Sequence, residues 1–195
     1  MLDYAERAVV VLLSLPFLIA FARVLPVHPH LIVLAASEMM AVVLVLIRKP
    51  GEMVATPYAF MIALLGTAAP LLIRPTGGIA LAPSTVTLFI MLVGAMLSVG
   101  AKLFLNRSFG IVAANRGVKR GGPYALVRHP MYLGYIVTEI GFLLAVFSPL
   151  NVAFYAIAWS LQVLRILEEE KILRTDGAYL DFSKSTRWRL VPGLF

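Results

Sequence analysis

Apolar stretches long enough to cross about 30 Å of hydrocarbon recur at roughly 8–24, 31–47, 58–73, 85–105, 131–148 and 150–167. Each is expected to be a helix, because an unbroken apolar run in lipid must satisfy its backbone groups internally. The third window is interrupted by Gly66 and Pro70. The last two are separated by Ser-Pro-Leu-Asn alone, a turn so short that it predicts an antiparallel hairpin. The first begins after Asp3 and Glu6 and runs on without a small-residue cleavage pattern, so it reads as a retained helix and not a signal peptide. The pattern therefore predicts an all-α integral membrane protein of about six transmembrane helices ending in a helical hairpin. Nothing resembling a repeat or a long linker divides residues 1–195, which read as a single membrane domain.

Composition sharpens this picture. With 61% hydrophobic residues, 14% charged and a mean hydropathy of +0.91, the chain is too apolar for a water-soluble globule. The net charge of +7 is a matter of sidedness: basic residues fall in alternate connections. Arg48 and Lys49 occupy one, and Lys102, Arg107, Arg116, Lys119, Arg120 and Arg128 lie in or near another. The tail adds Lys171, Arg174, Lys184, Arg187 and Arg189, whereas the opposite connections hold only Arg23 and Arg74 with His28 and His30. That asymmetry places both termini and the polar loops in the cytoplasm and gives no reason to expect a nucleic-acid partner. The absence of cysteine excludes disulfides and thiolate chemistry, and the three histidines show no metal-ligand spacing. No metal is expected.

Two polar clusters interrupt the apolar background: GGPYALVRHPMYLGY at 121–135 and RILEEEKIL at 165–173. The first ends a connection of about 25 residues that carries Asn106, Phe109, Asn115 and Arg116 and exceeds what two helices need. Pro130 suits the first turn of a helix, which puts Arg128 and His129 at its start, where free N–H groups and the helix dipole favour a carboxylate or phosphate. Beyond it Tyr132, Tyr135 and Glu139 share one helical face, and Gly134, Thr138, Gly141 and Ala145 form a small-residue stripe on another. A glutamate this deep in a membrane helix costs roughly 2.5–3.5 kcal/mol on insertion scales, so it is expected to face a cavity or a partner. In the last window Tyr155, Trp159, Gln162, Ile166 and Glu169 form a comparable stripe with Arg165 at its edge. The hairpin returns Arg165–Glu170 to the level of Arg128 and His129, making one site of two clusters.

The string GPYALVRHPMYLG, the hydrophobic hairpin, EEEKIL, the aromatic pair Tyr179 and Phe182, and RLVP at 189–192 together resemble the isoprenylcysteine carboxyl methyltransferase family and its relatives among the phospholipid methyltransferases. The resemblance covers roughly 117–192 and departs from the common pattern at Asp176–Gly177, where a Phe-Gly pair is usual. It implies N-terminal helices over 1–100 and a cofactor-binding methyltransferase core over 101–195, acting on a lipophilic, membrane-dissolved acceptor beside membrane lipids. It implies S-adenosylmethionine as cofactor, held at the cytoplasmic edge by Gly122, Tyr124, Arg128, His129, Pro130 and Tyr132, with Glu169 and Glu170 closing the pocket from the other helix. Arg165 is the candidate for orienting an acidic substrate group, and Glu139 the candidate for acceptor contact or proton removal.

A sulfonium methyl is already activated, so such a site has chiefly to align a nucleophile and exclude water. A carboxylate acceptor needs no base, which favours carboxyl O-methylation over phospholipid N-methylation. Two other classes compete. Membrane reductases resembling steroid 5α-reductase also place an Arg-His-Pro-like motif before a helix and use NADPH, but usually with Asn where this chain has Met131. A non-enzymatic membrane protein, such as a small transporter, would account for Glu38 and Glu139 but not for the polar residues gathered at one rim. The sequence leaves the acceptor and the oligomeric state open.

Overall fold

The computed structural model describes residues 2–47, 56–105, 118 and 120–195. Among these the chain is all-helical. Helices α1 (Leu2–Val24), α2 (Ile32–Ile47), α3 (Pro57–Ala68), α4 (Ser84–Leu105), α5 (Pro130–Ala145) and α6 (Pro149–Leu173) coincide with the six apolar windows, and a short α7 (Gly177–Ser185) follows. Helices α4 and α6 are long and apolar enough to cross a bilayer, and shorter apolar helical stretches occupy Val10–Val24, Pro29–Met40, Pro57–Leu72 and Pro130–Ala145. The third apolar window changes character at its proline: α3 tightens into a 3-10 turn over Ala69–Leu72. Large apolar side chains such as Phe89, Val93, Met96 and Leu103 stand exposed along α4, an outward face that water disfavours and lipid accepts.

Local signals set the boundaries. Thr56 accepts from the Ala59 N–H at 3.2 Å ahead of Pro57, and Ser148 accepts from the Asn151 N–H at 3.1 Å ahead of Pro149. Each pairs an N-cap oxygen with a proline whose missing N–H costs nothing at N1. The buried Asn151 then binds the far end of the bundle together: its side-chain oxygen accepts from the Arg74 N–H at 2.9 Å, and its amide donates to the Arg74 and Val146 carbonyls at 2.9 and 3.2 Å.

The small-residue stripe of α5 meets α4, its most extensive partner. A Cβ at Gly94 would lie 2.4 Å from the Thr138 nitrogen, and one at Gly134 would lie 2.5 Å from the Ser98 nitrogen. Only glycine lets the two backbones approach so closely. α6 touches α5 far less, which leaves space between them on the face that carries Tyr132, Tyr135 and Glu139. A core of Phe17, Phe21, Leu34, Met91, Phe142 and Tyr155 fills one half of the bundle. A second, of Ala101, Tyr124, Met131, Ile166, Tyr179, Phe182 and Leu190, fills the half where the polar clusters lie.

Candidate functional site

His129 is the N-cap residue of α5, with Pro130 in the first turn. The hairpin returns α6 antiparallel, so the Arg165–Glu170 segment arrives beside this helix start. Glu169 and Glu170 approach the His129 ring from α6: Glu169 Oε2 lies 3.7 Å from Nδ1, and Glu170 Oε1 lies 3.5 Å from Nε2. The negative groups that sequence reasoning expects at this helix start thus include the chain's own carboxylates. Tyr132, one turn on, donates its hydroxyl to Glu169 Oε1 at 2.5 Å, and Arg165 Nε donates to the same oxygen at 3.2 Å. The Arg165 guanidinium also lies 5.3 Å from the centre of the Tyr132 ring.

The two glutamates are not equivalent. Glu170 is a hub: Oε1 accepts from Arg128 Nε at 2.8 Å and from the Tyr179 hydroxyl at 3.2 Å. Its Oε2 accepts from Arg189 Nε at 2.8 Å and from Arg174 Nη2 at 3.3 Å. Arg128 in turn donates through Nη1 to the Ser183, Thr186 and Arg187 carbonyls. The Arg128 and His129 backbone N–H groups donate to the Trp188 and Arg189 carbonyls. The pair is therefore a clasp that fastens the segment after α7 onto the start of α5. Glu170 lies past the apolar window of α6. Burial opposes its ionisation, but His129, Arg189 and Arg128 outweigh burial and hold its carboxyl well below the usual range. Burial, reinforced by the Glu170 charge, pushes the Tyr179 phenol up and keeps it a neutral donor.

Glu169 and His129 retain capacity. Glu169 keeps 16% of its side-chain surface accessible, and the buried His129 Nε2 meets Glu170 only at 3.5 Å, longer than a direct hydrogen bond. Nearby, Gly121 and Gly122 carry φ of 152° and 54°, values that favour glycine, and start a 3-10 turn through Ala125. Tyr124 in that turn is buried, its hydroxyl 3.5 Å from the Ala101 carbonyl, and its own carbonyl accepts from Thr186 Oγ1 at 3.3 Å. Burial, then the Glu169 charge, raises its phenol well above the usual range. Asn106, Phe109, Asn115 and Arg116, singled out in the long connection, lie outside the described residues.

Below this rim, towards the middle of the bundle, is a cavity of about 40 Å³ bordered by Tyr132, Tyr135, Glu139, Gln162 and Arg165, with Glu38 reaching it from α2. Glu139 is fully buried and accepts from Trp159 Nε1 through Oε2. Sequence reasoning missed Lys102 as an interior residue. It is 3% exposed, with its ammonium 4.6 Å from the centre of the Tyr135 ring. The signal was available, since Thr87, Met91, Gly94, Ser98 and Lys102 continue a single buried stripe along α4. It also missed Arg189 and Tyr179 as partners of Glu170. Among the described residues no group of three His, Cys, Asp or Glu side chains could hold a metal ion.

S-adenosylmethionine brings an ammonium and ribose hydroxyls that need acceptors, a carboxylate that needs donors, and an adenine that needs both. Glu169 Oε2 offers one such acceptor and the His129 ring one polar edge at this rim, so these residues are compatible with the group. Residues 79–175 match the isoprenylcysteine carboxyl methyltransferase (ICMT) family. Protein-S-isoprenylcysteine O-methyltransferase A of Arabidopsis thaliana is 29% identical over 106 residues, which cover 50% of this chain and 54% of that protein. The chain thus spans about half the length of this curated relative.

Proposed function

We propose that this chain, whose residues 79–175 match the isoprenylcysteine carboxyl methyltransferase family, is a membrane enzyme transferring a methyl group from S-adenosylmethionine to a carboxylate on a lipophilic acceptor. The observation that carries this reading is the position of Tyr132 and Arg165. Both touch Glu169 at the rim and both border the inner cavity, so a cofactor held at the rim and an acceptor reaching in from the bilayer meet at these two side chains.

The bound cofactor supplies an activated methyl group. His129 and Glu169 hold it, near the Gly121–Gly122 turn, whose glycines pack against the Phe104 ring. Arg165 orients the acceptor carboxylate, a task suited to its planar fork of donors. Its tie to Glu169 fixes the distance between acceptor and cofactor sites, and such alignment is the main service an enzyme renders when neither partner needs a proton moved. The buried Tyr132 and Met131 exclude water beneath the rim. Arg128 and Glu170 serve as the clasp that keeps the two helices in register. In the same reading all six apolar helices cross the bilayer, the four shorter ones among them, with the rim and both ends of the chain on the cytoplasmic side. The acceptor class follows from what the Arabidopsis relative's name says it methylates and from the absence of any need for a base.

Calorimetric titration of the detergent-solubilised protein with S-adenosylmethionine and, separately, with NADPH tests the reading. Binding of the former, weakened at least tenfold by His129→Ala, is expected. Binding of NADPH alone would overturn the proposal in favour of a reductase.

A further inference from the structure

The end of the bundle away from the rim carries a cavity that methyl transfer does not use. It measures about 550 Å³ and is bordered by the end of α1, the loop over 75–82, the start of α4 and the end of α5. Arg23, His28 and His30, three of the four basic residues at this end, line it, and Arg74 does not. The two imidazoles meet edge to face with ring centres 5.9 Å apart. Among the described residues no carboxylate pairs with them or with the Arg23 guanidinium. The sequence explains this, since residues 7–37 and 53–138 contain no Asp or Glu. An arginine beside two imidazoles thus holds positive charge that nothing in the chain balances, and an anion supplies the missing partner.

The rest of the lining decides which anion. Thr76 and Ser84 add hydroxyls, and the start of α4 adds the free N–H groups of a helix end. With no carboxylate to receive a choline or ethanolamine ammonium, a zwitterionic head leaves its cation unpaired, whereas a phosphate ester bearing hydroxyls does not. Val24, Leu31 and Val146 make the wall apolar behind these groups. A neighbouring space of about 570 Å³ shares Val27, His28, His30 and Ser84 with the first and runs on to Ile32 of α2 and Leu88 of α4. A polar head therefore has a basic pocket, and a chain attached to it has an apolar groove leading away along the helices.

Building on the reading in which all six apolar helices cross the bilayer, we propose that this is a binding site for an anionic phospholipid of the phosphatidylglycerol type, drawn from the leaflet opposite the rim. Its phosphate lies among Arg23, His28 and His30, its headgroup hydroxyls reach Thr76 and Ser84, and one acyl chain follows the groove over Ile32 and Leu88. The lipid fastens the end of α1 and the start of α2, which lie outside the 79–175 match, to α4 within it.

The test is native mass spectrometry, with thermal melts, of the full chain in detergent supplied with dioleoylphosphatidylglycerol or dioleoylphosphatidylcholine. The anionic lipid is expected to bind at least tenfold more tightly and to raise the melting midpoint by several degrees. Arg23→Gln, and His28→Ala together with His30→Ala, should each cut that preference to about threefold or less. Arg74→Gln, at the same end but off the cavity, should keep it. Arg23 and His28 are exposed, so lipid-free midpoints close to the parent's are expected and report that the variants fold; should one not fold, the other carries the comparison. Equal binding of the two lipids by the parent, or a preference that survives in both variants, overturns the site. Displacement of the lipid by millimolar inorganic phosphate would make the occupant a soluble anion and overturn the lipid assignment. Because the chain has no cysteine, Leu81→Cys reports the side of the membrane: a membrane-impermeant maleimide is expected to label it in intact cells. Labelling only after lysis strikes the transmembrane reading and the choice of leaflet, while the binding comparison judges the pocket itself, so the two failures are distinguishable.

Discussion

Arg128 donates to Glu170 across 2.8 Å with both side chains almost wholly enclosed, and each spends its remaining capacity on α7 and the segments that flank it. An arginine and a glutamate from the two motif clusters therefore hold the molecule together. Removing one partner of a buried pair leaves the other uncompensated, which costs about 3–5 kcal/mol. Arg128→Ala and Glu170→Ala are each expected to lower the unfolding midpoint strongly, with S-adenosylmethionine binding lost as a consequence. Thermal melts in detergent check this. An unfolding midpoint within a degree of the parent's in either variant would remove the clasp from the account.

The same pair makes stability depend on pH. The Glu170 carboxyl sits below its ordinary value of 4.5 in the folded protein. Its contribution is therefore complete above the unfolded value and is lost as pH falls below it, through the depressed folded value. Melting midpoints recorded from pH 7 down to pH 3 should fall more steeply below about pH 4.5 in the parent than in Glu170→Gln, whose side chain has no proton to gain. Parallel profiles would mean that Glu170 does not govern the acid limb.

His129 and Glu169 are expected to behave differently, because their contacts with the rest of the chain are longer or fewer. His129→Ala and Glu169→Ala should each weaken S-adenosylmethionine binding by tenfold or more with a modest change in melting temperature. Arg165→Ala should spare cofactor binding and lower kcat with the lipophilic acceptor. Isothermal titration beside steady-state kinetics separates these outcomes. Equal loss of cofactor affinity and turnover in Arg165→Ala would count against its role in orienting the acceptor.

Much of this arrangement is legible in the order of residues along the chain. The turn at Pro149 and the offset between 128–129 and 165–170 suffice to bring both clusters to one level, and each apolar window falls on a helix, although α1 starts and α6 ends six residues outside its window. The division of labour between Glu169 and Glu170 is not legible. It depends on Arg189, Tyr179 and three backbone carbonyls whose positions follow from how the tail folds back. The partner of the α5 glycine stripe is hidden for a related reason: spacing shows that a face is small, while only packing shows that α4 fills it. Lys102 reads as a cytoplasmic charge because lysine is rare inside a bundle, yet Tyr135 and the carboxylate of Glu38 give it company there.

The α4–α5 contact offers a prediction independent of the chemistry. A methyl group on Gly134 meets the Ser98 backbone nitrogen at 2.5 Å and the Gly94 carbonyl at 2.7 Å. Neither is the flexible end of a side chain, so the helices have to separate. Overpacking of this kind costs about 1–3 kcal/mol, and it also shifts Tyr132 and Tyr135 relative to the cavity. Gly100, on the same α4, has nothing within 4 Å of an added Cβ, and alanine there should be neutral or stabilising by roughly 0.5–1 kcal/mol. Gly134→Ala is accordingly expected to melt several degrees lower than the parent, while Gly100→Ala melts at or above it. If both variants shift alike, helix propensity and not close approach governs this interface, and the separation that opens the cavity between α5 and α6 would need another cause.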